Sequence, residues 1–131
     1  MFGKKKQPPI RSLVAQGSLI TGNLRFTDGL RIDGSVVGNV RSNDENPSIL
    51  VISETAQVEG EIHADHVIIN GHVKGPVHAH ELLELQPKAR IEGDIHYNAL
   101  EMHQGAVIAG QLCPMAGAQD KPVLKLAANN T

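Results

Sequence analysis

The sequence predicts an all-β fold, a solenoid of stacked coils, on the basis of three observations. A motif with a central glycine recurs along the 131 residues, the positions around that glycine keep their residue class, and aromatic residues are nearly absent. The chain has two Phe, one Tyr and no Trp, so Val, Ile and Leu must fill its interior. Thirteen glycines without a collagen-like period indicate a repetitive backbone with a narrow core.

The repeated motif is aliphatic-x-Gly-x-aliphatic, and it occurs six times. Its instances read ITGNL, VVGNV, VEGEI, VKGPV, IEGDI and IAGQL, centred on Gly22, Gly38, Gly60, Gly75, Gly93 and Gly110. The spacings between these glycines are 16, 22, 15, 18 and 17 residues. Residues 42–48 lie in the long interval and are rich in turn formers, so we expect an inserted loop there.

The positions around the glycine form columns when the six motifs are aligned. Two residues before the glycine the side chain is always β-branched: Ile20, Val36, Val58, Val73, Ile91 and Ile108. Two residues after it the side chain is aliphatic: Leu24, Val40, Ile62, Val77, Ile95 and Leu112. Four residues before it the residue is small: Ser18, Gly34, Ala56, Gly71, Ala89 and Ala106. The alternation predicts strands, and the small residues predict tight corners between them.

Further apolar pairs precede each corner, and they complete the coil. They are Leu30 and Ile32, Leu50 and Ile52, Val67 and Ile69, Leu83 and Leu85, and Leu100 and Met102. A coil with two or three short strands is one rung of a β-helix, and rungs stack at about 4.8 Å. Six rungs then form a rod of about 25–30 Å. A β-sandwich is the alternative, but it does not require the same residue classes to return in one register six times.

The cysteine count, the length of the apolar runs and the charge limit the classes of protein to which the chain can belong. Cys113 is the single cysteine, which excludes a disulfide framework and a Cys-rich metal site. No apolar stretch of signal-peptide length follows the basic start, and the longest aliphatic run, Ile49 to Ile52, is far too short to span a bilayer. We therefore expect a cytoplasmic protein. The first eleven residues carry +4 and the remainder −6, and an acidic body argues against nucleic acid as a partner.

The segment from Gly22 to Gly38, GNLRFTDGLRIDGSVVG, resembles the opening of the bactofilin domain, a bacterial polymer-forming cytoskeletal family. The later runs AQVEGEIHADHVIINGHVKGPV and ARIEGDI are similar to that family's rungs, and the resemblance covers about residues 14–112. It implies a single-stranded, right-handed, triangular β-helix of about six rungs between flexible tails. It also implies assembly without nucleotide into non-polar filaments, by contacts between like ends. In these terms we expect a basic membrane-targeting tail over 1–13, a polymerisation domain over 14–113 and a C-terminal tail over 114–131.

The ends of the rod are the predicted polymer interfaces, because bare terminal rungs expose apolar surface and unpaired strand edges. The sequence shows no amphipathic capping helix. The candidate interface residues are Ile20, Leu24 and Phe26 at the first rung and Met102, Val107, Ile108 and Leu112 at the last. The alternative is that the tails fold back over both ends.

The N-terminus is the predicted membrane contact, with Met1, Phe2, Lys4, Lys5 and Lys6 facing an anionic inner-membrane surface. Each Lys near such a surface contributes about 1 kcal/mol, and burial of a Phe adds about 2 kcal/mol. One tail is a marginal anchor, whereas many tails on one filament bind firmly because later contacts are intramolecular. The alternative is a solvated basic tag.

The histidines are candidate metal ligands, because a neutral imidazole binds Zn²⁺. His63, His78 and His96 each stand three residues after a repeat glycine, so stacking lines them up on one outer face. A straight ladder converges poorly on one ion, and we expect no metal site but a polar stripe that becomes charged below about pH 6.5.

No catalytic or cofactor-binding signature is present, and the chain is predicted not to be an enzyme. The main interpretation is a cytoskeletal scaffold that localises unidentified client proteins for cell shape, polarity or cell-wall synthesis. One alternative is a trimeric enzyme on a left-handed hexapeptide β-helix, of the acyltransferase or γ-class carbonic anhydrase type. Hexapeptide coils repeat every six residues, whereas the intervals here vary. Another alternative is a monomeric membrane adaptor that uses the rod as a spacer.

Overall fold

The computed structural model describes residues 9–43 and 47–115 together with the backbone of residues 124–126. These residues form sixteen β-strands and no helix, and the strands lie on three faces of a solenoid. Face 1 comprises β3 (Leu24–Phe26), β6 (Val40–Ser42), the first parts of β9 (Ile62–Ile69), β11 (Val77–Leu85) and β13 (Ile95–Met102), and β15 (Leu112–Pro114). Face 2 comprises β1 (Ile10–Val14), β4 (Gly29–Ile32), β7 (Ile49–Ile52), the second parts of β9, β11 and β13, and β16 (Leu124–Leu126). Face 3 comprises β2 (Leu19–Thr21), β5 (Ser35–Val37), β8 (Gln57–Glu59), β10 (His72–Lys74), β12 (Arg90–Glu92) and β14 (Val107–Ala109).

Every strand pairing is parallel, and each joins one coil to the next. On face 3 the β-branched column is in register through all six strands, from Ile20 opposite Val36 to Ile91 opposite Ile108. On face 1 the aliphatic column is also in register through all six strands, from Leu24 opposite Val40 to Ile95 opposite Leu112. The prediction of a β-solenoid of about six turns is therefore confirmed, and the β-sandwich is wrong.

The core is the narrow space between the three faces, and aliphatic side chains fill it. The central members of the two columns are at most 1% exposed. Face 2 contributes the predicted upstream pairs, among which Leu50, Ile52, Val67 and Ile69 are fully buried. The rings of Phe26 and Tyr97 are also buried, near opposite ends of the core. Branched aliphatic side chains suit this space because they pack well on a pleated surface with few rotamers to lose.

The corners are tight, as the small residues predict. Gly34, Ala56, Gly71 and Ala89 are buried at the turn into face 3. A Cβ added at Gly34 would collide with the carbonyl oxygens of Ala15 and Ser18 in the preceding coil. Small residues are needed at this column because the backbones of adjacent coils approach each other too closely for a larger side chain.

The inserted segment between β6 and β7 leaves the rung pairing intact, with residues 44–46 outside the described part. Next to it, Ser48 is buried and bonded to the following rung. Its backbone N–H donates to Asp65 Oδ2 at 3.1 Å, and its Oγ accepts from the backbone N–H of Asp65 at 3.0 Å. These bonds tie the chain back onto the solenoid, so the insertion does not disturb the register downstream.

The C-terminal strand β16 lies parallel to β13, with Leu124 opposite Leu100 and Leu126 opposite Met102. It supplies the last strand of face 2. Both predicted tails otherwise fall largely outside the described residues, which exclude 1–8, 116–123 and 127–131. Among the described residues no helix has the length and apolar character needed to cross a membrane.

Replacing Gly60 by alanine is expected to lower the free energy of unfolding by about 3 kcal/mol, because two costs combine. Gly60 has φ +148°, which L side chains rarely adopt, and a Cβ there would collide with the carbonyl oxygen of Gly38 in the preceding rung. Gly22 is the matched control, since its φ is +124° but no atom lies within 4 Å of an added Cβ. Chemical unfolding of both variants measures the difference. An equal loss in both would show that close stacking of this column is not what requires glycine.

Candidate functional site at the ends of the solenoid

The apolar core is open at both ends of the described solenoid. On face 3 the four central members of the inward column are at most 1% exposed, whereas its end members, Ile20 and Ile108, are partly exposed. On face 1 the central members are 0% exposed, whereas Leu24 is partly exposed and Leu112 is 39% exposed. These four side chains have the same register position as buried ones, and they lack only a neighbouring rung.

The strand edges at both ends are unpaired within the described residues. β1, β2 and β3 form the first rung, and each pairs only with the strand of the second rung. β14, β15 and β16 form the last rung. β14 pairs only with β12, and β15 and β16 pair only with β13, in the preceding rung. A row of unpaired N–H and C=O groups beside exposed apolar side chains is a template for a further strand. Each end can therefore accept another rung on all three faces.

The predicted interface residues fall into two groups in the structure. Ile20, Leu24, Ile108 and Leu112 lie at the ends and are partly or well exposed, as described above. The other three have different environments. Phe26 is buried under the second rung, Met102 lies beside β16, and Val107 is 50% exposed on the outer side of face 3. The structure thus brings four of the seven side chains to the open ends of the core.

The first rung contains a strand that the sequence analysis did not find. In β1, Ser12 lies opposite Leu30 and Val14 opposite Ile32, so the upstream column continues one coil further toward the N-terminus. Ile10 and Leu13 in the same strand are well exposed. The sequence signal for β1 is weak, because Ser12 stands where the other coils have Leu or Val and only Val14 continues the apolar column. The membrane-contact residues Met1, Phe2, Lys4, Lys5 and Lys6 lie outside the described residues.

Face 1 carries the predicted histidine ladder on its outer side. His63 and His78 are stacked with ring centroids 4.2 Å apart, and His78 and His96 with centroids 4.5 Å apart. Arg41 precedes this ladder in register and Cys113 follows it. The lining up of the three imidazoles is therefore confirmed.

Glu61, His63 and His78 each place one possible ligand atom within 4.8 Å of the others. Glu61 Oε1 is 3.2 Å from His63 Nε2. The planes of the two rings differ by only 5°, so their in-plane lone pairs run side by side and do not converge. A tetrahedral metal centre needs converging ligands. This geometry is that of a ring stack, and the absence of a metal stays a prediction.

The ladder predicts a loss of stability in mild acid. Burial lowers the pKa of His78 below its usual 6.5, and the neighbouring His63 and His96 lower it further, with Glu61 acting in the opposite direction. Below pH 6.5 the unfolded chain binds a proton at His78 that the folded chain resists. The contribution of His78 to the free energy of unfolding is therefore complete above that pH and lost as the pH falls.

Chemical unfolding at about pH 7.5 and about pH 5.5 checks this linkage. We expect His78→Gln to show a smaller loss between the two values than the unchanged chain. His72→Gln, which removes a histidine on face 3, is expected to keep the full loss. An unchanged loss in His78→Gln would contradict the role of the stack.

Together, the coils and their ends define the class of the protein. It is a parallel β-solenoid whose end rungs, as far as they are described, leave the apolar interior partly exposed. A family model described as Bactofilin, polymer-forming cytoskeletal, matches residues 12–113. The chain belongs to the bactofilin family, a structural cytoskeletal family, which confirms the resemblance seen in the sequence. No curated protein and no solved structure matches the chain.

Proposed function

We propose that the chain self-assembles, without nucleotide, into non-polar filaments in which the solenoid is the subunit. Residues 14–113 are its predicted polymerisation domain, and β1 and β16 add a strand at each end. The observation that carries this proposal is the partly exposed end of the core, at Ile20 and Leu24 on the first rung and Ile108 and Leu112 on the last. Contact between like ends buries these side chains and pairs the free strand edges. Burial of the apolar side chains favours association, since each apolar Å² removed from water contributes about 25 cal/mol. Pairing of the strand edges satisfies backbone groups that are otherwise free.

The filament is proposed to act as a scaffold at the inner face of the cell membrane. Met1, Phe2 and the three lysines at positions 4 to 6 supply one weak contact per subunit, and the repetition along a filament makes the binding firm. Client proteins concerned with cell shape, polarity or the cell wall then become localised along it. The family supports the cytoskeletal role, and the basic N-terminus supports the membrane contact.

Sedimentation of the purified protein tests self-assembly. At high speed, most of the protein is expected in the pellet both with and without added nucleotide, because no phosphate-binding loop contributes to the proposed contacts. Protein that remains in the supernatant under both conditions contradicts the proposal. Protein that pellets only when nucleotide is present contradicts the proposed mechanism of assembly.

A further inference from the structure

A cluster of basic side chains lies on the outer side of face 1, near the first rung. Arg25 in β3 is in direct register with Arg41 in β6, and Arg41 is in register with His63 in β9. Both arginines are exposed. Like charges directly opposite each other on neighbouring strands are destabilising, so this arrangement has an electrostatic cost unless an anion lies near it.

Neither arginine has a carboxylate partner among the described residues. Arg11, in contrast, lies 2.8 Å from Asp28, and Arg31 lies 2.9 Å from Asp33. Glu61 is a described carboxylate beside this pair, and it is bonded to His63 at 3.2 Å. Within the described part of the chain, Arg25 and Arg41 therefore keep their hydrogen-bond donors available for an external group.

The two arginines line a recess of about 220 Å³, together with Asn23, Leu24, Asn39, Glu61 and His63. Asn23 Oδ1 accepts from the backbone N–H of Asn39 at 3.1 Å. Asn39 Oδ1 accepts from the backbone N–H of Glu61 at 2.9 Å. These bonds fix the orientation of both side-chain amides and occupy their oxygens, so the NH₂ groups remain as donors. The recess thus combines two planar guanidinium forks and two amide donors with one carboxylate, that of Glu61, which is bonded to His63.

We propose that Arg25, Arg41, Asn23 and Asn39 form a site for a phosphate group, of the kind that an anionic phospholipid headgroup or free phosphate carries. Phosphate offers several acceptor oxygens, and guanidinium groups bind such oxygens in pairs, with charge-assisted hydrogen bonds. All four residues belong to the first two rungs of one subunit, so the site does not depend on assembly. In a filament the site recurs along the rod, beside the end from which the basic tail emerges.

Equilibrium dialysis with labelled inorganic phosphate, at constant ionic strength, tests the site. We expect saturable binding of one phosphate per subunit, weakened about tenfold or more in Arg25→Gln/Arg41→Gln. Arg31→Gln/Arg90→Gln removes the same charge elsewhere and is expected to change the affinity less than about twofold. Arg25→Lys/Arg41→Lys keeps the charge but loses the forks, and it is expected to bind more weakly than the unchanged chain.

Circular dichroism shows whether each variant retains its β-structure, so a loss of binding is attributed to the site only in folded protein. Absence of saturable phosphate binding by the unchanged chain overturns the proposal. Equal weakening in both double glutamine variants also overturns it, because diffuse charge would then explain the binding. Since binding is counted per subunit, a failure to form filaments and a failure of this site are separate results.

Vesicle flotation identifies the source of the phosphate. In the background Lys4→Ser/Lys5→Ser/Lys6→Ser, residual binding to phosphatidylglycerol vesicles that exceeds binding to phosphatidylcholine, and that Arg25→Gln/Arg41→Gln abolishes, assigns the site to lipid headgroups. Saturable phosphate binding without such vesicle binding assigns it to free phosphate. Both results support the site, and they differ only in what fills it.

Discussion

Replacing Leu112 by lysine is expected to convert filaments into discrete dimers. The side chain is 39% exposed at the end of an otherwise buried column, so a charge there is tolerated in the single subunit but is buried without a partner in the contact. If like ends meet, the contact between last rungs is lost while the contact between first rungs remains. Analytical ultracentrifugation measures the species formed.

Leu24→Lys is expected to give dimers joined through the last rung, and the combination of Leu24→Lys and Leu112→Lys is expected to give monomers. Val37→Lys is the matched control because Val37 is 43% exposed in the second rung, away from the ends, and it should still form filaments. Monomers from either single variant would show that unlike ends meet. Filaments formed by both single variants would contradict the end contacts altogether.

Removal of the three N-terminal lysines is expected to weaken membrane binding more than any other surface change. Lys4→Ser/Lys5→Ser/Lys6→Ser removes about 3 kcal/mol per tail at an anionic surface, which corresponds to more than about a hundredfold in affinity. Binding to vesicles containing phosphatidylglycerol, measured by flotation, is expected to fall at least that far, because the effect multiplies along a filament.

The matched control for the tail removes three positive charges from the rod, as Lys74→Ser/Lys88→Ser/Arg90→Ser. This variant is expected to bind vesicles nearly as well as the unchanged chain. Similar losses in the two triple variants would assign the attraction to overall charge and contradict a dedicated tail.

The stacking register could be predicted from the sequence because each coil repeats one pattern of residue classes. The columns through Val36 and Val40 follow from alternation alone, and so does the alignment of His63, His78 and His96. The positions of Ile20, Leu24, Ile108 and Leu112 at the ends of the described solenoid follow from the same columns, since the first and last members lack a neighbouring rung. Periodicity therefore determines which residues share a face of the solenoid and which residues lie at its two ends.

Other features could not be predicted because they depend on contacts that periodicity does not encode. β16 pairs with β13, although its segment lacks the repeat glycine that marks the other coils. The approach of Glu61 to His63, and the amides of Asn23 and Asn39 that cap backbone N–H groups, depend on side-chain rotamers. Arg25 and Arg41 fall in one column of the sequence, but only the structure shows that neither has a carboxylate partner among the residues it describes.

Electron microscopy of the purified chain, without nucleotide, shows directly whether the subunits join end to end. We expect uniform filaments in which rungs stack along the axis at about 4.8 Å. Subunits are expected to alternate in direction, so that the axial repeat contains two subunits and measures about 60 Å. Discrete small particles, or filaments in which the solenoids lie side by side with their ends free, would contradict assembly through the ends.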